Sequence, residues 1–169
     1  MTRTTRRRGR GGFTLIEAAI ATALLGTGVT ALMLAVQSGT SVNGAGRKMT
    51  QAVFLAQEIR EWTLRLPFVD PQTPNNPPGP DGTSPQTFVD DLNDLMNVTY
   101  SPPRDAYGSA ITDMSGWSQT ITMTWRDPDN LSAAVANGAS DIVRVEVSVS
   151  FKGQPVHTSA FLAVRRSTE

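Results

Sequence analysis

An uninterrupted apolar run over residues 13–36 is the strongest feature of the hydrophobic pattern, and it predicts a membrane-spanning helix. The run, FTLIEAAIATALLGTGVTALMLAV, contains one charged side chain, Glu17. As a helix it would measure about 36 Å, compared with about 30 Å for the hydrocarbon core of a bilayer. A run of this length can therefore cross a bilayer once.

A second helical pattern follows, with apolar residues at every third or fourth position between Arg47 and Leu66. This spacing predicts an amphipathic helix with one apolar face. The face consists of Met49, Ala52, Leu55, Ile59, Trp62 and Leu66. Residues 38–46 contain three glycines that could kink or interrupt the helix before this face begins. We expect residues 37–66 to continue the first helix, which Pro67 would end.

The remaining residues, 67–169, predict a head that begins with a loop. Residues 67–87 hold seven of the eleven prolines, and this density predicts a connecting loop rather than a central strand. Residues 88–97 have apolar side chains at helical spacing, which predicts a short helix. Its apolar side would carry Phe88, Leu92 and Leu95.

Three later segments alternate apolar and polar residues, which predicts strands with one buried and one wet face. They are residues 119–126, residues 142–152, and the segment that follows the turn at 152–155. In this last strand the alternation assigns His157 and Phe161 to the solvent face. The apolar face would carry Val156, Ala160, Leu162 and Val164.

The pattern as a whole predicts an α+β fold. A sheet with one apolar face needs a cover, and the apolar face of residues 37–66 supplies one. We therefore expect a long N-terminal α-helix whose N-terminal half spans the membrane and whose C-terminal half packs against a small antiparallel β-sheet.

Charge is distributed unevenly although the totals balance at 15 bases and 15 acids. Residues 1–12 carry five arginines and no acid, so the remaining 157 residues hold ten bases against fifteen acids, a net charge of −5. The arginines at the start of the apolar run favour a cytoplasmic N-terminus and an exported head. An acidic body argues against a nucleic-acid partner, since such proteins gain affinity by neutralising phosphates.

Composition also removes several kinds of catalytic and metal site. The chain has no cysteine, which excludes disulfides, thiolate metal sites and cysteine nucleophiles, and its one histidine, His157, excludes a multi-histidine metal centre. The sequence contains no G-x-S-x-G, H-E-x-x-H or glycine-rich phosphate loop. We predict no catalytic residue, no cofactor and no metal, and hence a protein that is not an enzyme.

Two acidic groups contain enough side-chain oxygens to suggest calcium ligands. Neither has the twelve-residue arrangement of an EF-hand, so solvated turns are the favoured interpretation. The groups are Asp90, Asp91 and Asp94, and Asp127, Asp129 and Asn130.

Glu17 lies four residues into the apolar run and needs a cationic partner there. A carboxylate within a membrane segment is expensive and usually functional. The sequence has no lysine or arginine between residues 13 and 46, so the cation must come from elsewhere. A free amine at Phe13 would supply it if the chain were cut just before that residue.

The segment Arg10-Gly11-Gly12-Phe13-Thr14-Leu15-Ile16-Glu17 resembles the prepilin cleavage motif of type IV pilins and type II secretion pseudopilins. The resemblance implies that residues 1–12 are a basic leader, which prepilin peptidase removes by cutting between Gly12 and Phe13. It also implies N-methylation of Phe13 and an assembly role for Glu17, which would pair with the amine of a neighbouring subunit. Many major pilins have a helix proline that this chain lacks.

The resemblance further implies a pilin-like fold and a structural function. The subunit would sit in the bacterial inner membrane with its N-terminus cytoplasmic and its head periplasmic. It would join a pilus or pseudopilus with other pilin or pseudopilin subunits at an inner-membrane assembly platform. The missing helix proline and the absence of cysteine favour a minor pilin or minor pseudopilin.

Other functions remain open at this point. One alternative is a DNA-uptake pilin, although the acidic mature chain shows no evident basic stripe. Another is a secreted or membrane-anchored binding protein with a conventional signal segment, which would be cleaved after about residue 36. An anchored enzyme is the third, and it would need a convergent set of catalytic groups.

Overall fold

The computed structural model describes residues 12–72, 77–80 and 88–166. The predicted leader, except Gly12, and parts of the predicted proline-rich loop lie outside these residues. The chain forms two compact units, Met1–Ala45 and Gly46–Glu169. The elements are helix α1 (Leu15–Thr63), a 3₁₀ turn (Asn93–Leu95), and strands β1 (Val98–Tyr100), β2 (Trp117–Trp125), β3 (Ile142–Phe151) and β4 (Gln154–Val164).

Helix α1 includes the glycines at which an interruption was expected. Gly39, Gly44 and Gly46 all have helical backbone, so the helix is not interrupted there. A glycine inside a helix costs only about 1 kcal/mol relative to alanine, which the long flanking stretches can absorb. The side chains of Thr40 and Thr50 add hydrogen bonds to the helix carbonyls of Gln37 and Gly46.

The part of α1 in the second unit covers one face of the sheet, which confirms the α+β prediction. Four residues of the predicted apolar face are buried in the core: Ala52, Leu55, Ile59 and Trp62. Met49 lies outside the core and is exposed, because the buried part of the helix begins at Ala52. The helix ends at Thr63, three residues before the predicted end at Leu66, which is half-buried.

The four strands form an antiparallel sheet in the order β1-β2-β3-β4. Alternate residues of β3 are buried beneath α1, as the period-two pattern predicted: Val143, Val145, Val147 and Val149. Strand β1 has three residues, whereas β4 has eleven and forms the other edge of the sheet.

The face assignment for β4 holds for Val156, which packs against the core, but it was wrong for the residues that follow. Val145 pairs with Phe161 and Val147 with Ser159, so Phe161 lies on the core side, where it packs against the buried residues. The opposite face carries Ala160, Leu162 and Val164, and these three residues are exposed.

A register shift between Val149 and Ser150 accounts for the reversal. The chain turns through Lys152 and Gly153, which both have positive φ, of 50° and 77°. Continued without the shift, the register set by this turn would place Val156 opposite Val149, as the alternation suggested. The observed shift pairs Val149 with His157 instead. Because side chains alternate with a period of two, a shift of one residue moves every later side chain to the other face.

The short helix predicted over residues 88–97 is reduced to a single 3₁₀ turn, Asn93–Leu95. Leu92 and Leu95 are buried as expected, but Phe88 is 54% exposed. The Asp91 carboxylate accepts hydrogen bonds from the backbone N–H groups of Asn93 and Asp94. Aspartate bonds of this kind favour caps and turns over continued helix.

Candidate processing and assembly site

The predicted cleavage and assembly residues lie together at the start of α1. Residues 12–14 precede the helix, and Glu17 lies in its first turn. A side chain placed at Gly12 would meet no neighbouring atom within 4 Å, and Phe13 is 85% exposed. Among the described residues, nothing packs against the Gly12–Phe13 bond at which cleavage is predicted.

Thr14 and Glu17 form a reciprocal cap at the start of the helix. The N–H and hydroxyl of Thr14 each donate to Glu17 Oε2 at 3.4 Å, and the N–H of Glu17 donates to Thr14 Oγ1 at 3.3 Å. This is the capping box, in which a threonine and a glutamate three residues later satisfy each other's backbone donors. It explains why α1 begins at Leu15.

Sequence reasoning overlooked Thr14. The signal was available, because Thr14-Leu15-Ile16-Glu17 has the T-x-x-E spacing of a capping box. The long 3.4 Å contacts at Glu17 Oε2 leave the carboxylate weakly held. The positive end of the helix dipole favours a negative charge at this point. The Glu17 carboxylate therefore keeps the capacity to accept a further hydrogen bond.

The helix that follows presents an apolar surface on all sides. Within the described residues, α1 is the one helix long and apolar enough to cross a membrane, and its most apolar 18-residue window is entirely unburied. Soluble monomers rarely expose apolar patches larger than a few hundred Å². This surface therefore requires lipid or other helices around it, which supports membrane anchoring.

The first acidic group, Asp90, Asp91 and Asp94, lies next to Asp70, and these carboxylates hold turns in the chain between α1 and β1. Carboxylate oxygens of Asp70, Asp90 and Asp91 lie within 4.8 Å of one another. Asp70 accepts a hydrogen bond from the N–H of Gln72 at 2.6 Å, and Asp94 accepts one from the N–H of Asp90 at 3.0 Å. Burial, followed by the charges of Asp94 and Asp70, raises the pKa of Asp90 above its ordinary value of 3.8.

The second acidic group also holds a turn. The carboxylate of Asp127 accepts from the N–H of Asp129 at 2.8 Å, and the side-chain oxygen of Asn130 accepts from the N–H of Ser132 at 3.2 Å. These bonds give both oxygen-rich groups a backbone-capping role. The second group forms an exposed turn, as the sequence predicted, but the prediction of a solvated turn was wrong for the first group, where Asp91 and Asp94 are buried.

Replacing Asp90 with asparagine should stabilise the second unit at neutral pH. The pKa of Asp90 is higher in the folded chain than in the unfolded chain. Between these two pKa values the folded chain binds more protons, so its stability falls as the pH rises from about 4 through the folded pKa. Asparagine cannot ionise, so the variant should have a higher Tm at pH 7 and a Tm close to the parent's at pH 3.5.

Thermal unfolding of the detergent-solubilised chain at the two pH values measures this difference. Asp129→Asn, at an exposed turn position, is the matched control. A lower Tm for Asp90→Asn at pH 7 would contradict the electrostatic interpretation of this cluster.

The comparison with known families identifies the N-terminal segment. A family model for the prokaryotic N-terminal methylation motif matches residues 7–33. This span contains Gly12, Phe13, Thr14 and Glu17 and the first half of the apolar helix surface. Neither a curated protein nor a solved structure matches the chain.

The motif implies processing by prepilin peptidase and assembly with other pilins, and it is characteristic of structural subunits rather than enzymes. With its prepilin-type methylation motif and its long apolar N-terminal helix, the chain fits the type IV pilin and pseudopilin family.

Proposed function

We propose that the chain is a structural subunit of a type IV pilus or a type II secretion pseudopilus. Residues 1–12 are its leader, residues 13–36 its transmembrane and filament-core segment, and residues 67–169 its periplasmic head. The observation that supports this most directly is an exposed apolar helix whose first turn carries Glu17, within the residues that match the methylation motif.

Cleavage between Gly12 and Phe13 changes the charge at the membrane in two ways. It removes all five leader arginines, which hold the N-terminus on the cytoplasmic side. It also creates an amine at Phe13, which stays cationic after methylation. The mature helix can then leave the bilayer for a filament, because it no longer carries the cluster that anchored it.

The new amine gives Glu17 the cation that its own segment lacks. In a filament, the methylated amine of Phe13 on one subunit pairs with Glu17 of its neighbour. Pairing requires the two helices to be offset by a fixed amount, so it selects one assembly register. Removing one member of a buried ion pair typically costs about 3–5 kcal/mol. That cost is large enough to discriminate against wrong registers.

We place the chain among the minor subunits, which are less abundant in a filament than the major one. The support is its lack of cysteine and of a proline in the membrane segment, two features that distinguish it from many major pilins. A DNA-uptake pilin is less favoured, since the chain without its leader carries a net charge of −5.

Fractionation of the native host tests this function. We expect a C-terminally tagged chain in the inner membrane and in filaments sheared from the cells, in both cases without residues 1–12. Recovery of the head as a soluble protein that begins near residue 37 would contradict the proposal, because it would indicate a conventional signal segment.

A further inference from the structure

A small apolar pocket lies where the end of α1 meets the end of β4. It has a volume of about 260 Å³. Pockets that bind drug-sized molecules usually measure about 300–1,000 Å³, so this one suits a single apolar side chain. Among the residues that the structure describes, Arg166 is the one charged residue in its lining. The apolar lining includes Leu64, Leu66, Phe68, Leu92, Leu162 and Val164.

The guanidinium of Arg166 is available to an anion at this pocket. Arg166 is exposed, and its Nη2 donates to the carbonyl of Leu64 at the long distance of 3.4 Å. It forms no ion pair within the described chain, whereas the preceding Arg165 is paired with Asp141 at 3.7 Å. An apolar cavity with one unpaired guanidinium complements an apolar group that carries an anion. A carboxylate fits well, because it can accept two parallel hydrogen bonds from a guanidinium.

The strand beside the pocket has free backbone groups along its outer edge. The N–H of Arg165 donates to the carbonyl of Asp141 at 2.9 Å, so odd-numbered residues face β3 at this end of β4. In an antiparallel ladder, successive residues alternate between the two directions. The N–H and C=O groups of Ala160, Leu162 and Val164 therefore point away from β3, and no other described strand pairs with them.

This edge lacks the usual protection against strand addition. Natural proteins usually protect a long edge strand with charges, proline or bulges. The eleven residues of β4 include no lysine, arginine, aspartate or glutamate. Pro155 and the register shift lie at the far end of the strand, so the end beside the pocket is open to an added strand.

The pocket and the open edge together select the end of a polypeptide chain as the occupant. A fatty acid would satisfy the pocket and Arg166, but it has no N–H groups to pair with the edge of β4. A C-terminal tail supplies an apolar last side chain, a carboxylate and a backbone that can extend the sheet. Because β4 runs towards the pocket, a tail that ends there must run parallel to β4.

We propose that β4 and the pocket bind the C-terminal tail of a partner protein, which adds to the sheet as a parallel strand. The apolar last residue of the tail occupies the pocket, and its terminal carboxylate contacts Arg166. This contact recognises the end of a chain rather than a folded surface. The inference goes beyond the proposed filament function, and it can be tested on the purified full-length chain.

Binding of a fluorescent peptide to the full-length chain in phosphatidylcholine nanodiscs tests this inference. The probe is a short peptide that alternates threonine with valine and ends in leucine, with either a free or an amidated C-terminus. Fluorescence anisotropy measures its Kd, and empty nanodiscs give the background. We expect the free carboxylate to bind at least about tenfold more tightly, because hydrogen bonds to charged groups are the stronger ones.

Two arginine variants assign this difference to one side chain. Arg166→Gln should bind the free and the amidated peptide equally, because it removes the charge beside the pocket. Arg165→Gln is the matched control, since Arg165 is adjacent in the chain but lies outside the lining of the pocket. The control should keep the preference for the free carboxylate.

Methylation of the peptide backbone tests the added strand. Only alternate residues of an added strand direct their N–H groups to its neighbour. Of two peptides methylated at consecutive backbone nitrogens, one should lose at least about fivefold in affinity and the other should bind as the parent peptide does. Methylation changes the probe and not the protein, so misfolding cannot cause the loss.

Several results would overturn the inference. They are absence of peptide binding, equal binding of the free and amidated peptides, and a preference that Arg166→Gln leaves unchanged. Equal binding of the two methylated peptides, with full competition by octanoate, would identify a fatty acid as the occupant instead. None of these results bears on the proposed filament function, which the fractionation of the native host tests separately.

Discussion

Replacement of Gly12 by valine should abolish removal of the leader and leave the full-length, unmethylated chain in the membrane. The peptidase must bind the backbone around the Gly12–Phe13 bond closely, and a branched side chain would displace it. A misplacement of 1 Å at a reacting bond can cost about 100-fold in rate. Immunoblotting after a pulse of synthesis would measure the fraction of chain that is processed.

The effect of this substitution cannot be attributed to misfolding. A side chain at Gly12 would meet no neighbouring atom within 4 Å among the residues that the structure describes. Gly28→Val is a matched control, because Gly28 has equally open surroundings but lies inside the apolar helix. The control should be processed normally. Normal processing of Gly12→Val would show that cleavage occurs at another bond.

Replacement of Glu17 by alanine should preserve membrane insertion yet reduce incorporation into filaments by at least about 100-fold. Insertion should improve slightly, since an ionised acid costs about 2.5–3.5 kcal/mol at the centre of a membrane helix and less near its end. Assembly should fail because the amine of the neighbouring subunit loses its partner, at a typical cost of about 3–5 kcal/mol. Comparing the amounts of the chain in membranes and in sheared filaments measures both effects.

Two further substitutions separate the ion pair from the helix cap. Glu17→Gln keeps a hydrogen-bond acceptor for the N–H of Thr14 but removes the charge, so it should fail as alanine does. Thr14→Val removes the hydroxyl of the cap but keeps the carboxylate, so it should assemble better than either Glu17 variant. Normal filament incorporation of Glu17→Gln would reject the ion pair and leave Glu17 with a capping role only.

The fold was predictable where a regular pattern determined it. The spacing of Ala52, Leu55, Ile59 and Trp62 fixes one buried helix face, and the alternating valines of β3 fix one buried sheet face. The orientation of β4 was not predictable, because apolar residues occur on both of its faces. A one-residue register shift decided between them, and no local sequence signal marked it.

Buried polar contacts were also beyond the sequence. Gln119 is completely buried, and its side-chain amide donates to the carbonyl of Leu55 at 2.8 Å and accepts from the N–H of Arg104 at 2.6 Å. These bonds join the sheet to α1 and to the loop after β1. They connect residues far apart in the chain, so neither composition nor periodicity could reveal them.

The candidate site was predictable from the sequence where its residues are contiguous. The motif around Gly12, Phe13 and Glu17 is contiguous, and the family match over residues 7–33 confirms it as a prepilin-type motif. The individual roles of these three residues stay predictions.

The mass of the mature protein purified from the native host tests the account most directly. We predict that the mature chain starts at Phe13 and carries one methyl group on its α-amine, which peptide fragmentation would locate. A mature polypeptide that retains Arg3 to Arg10, or one that starts beyond Val36, would contradict it, because Glu17 would then have no amine to meet.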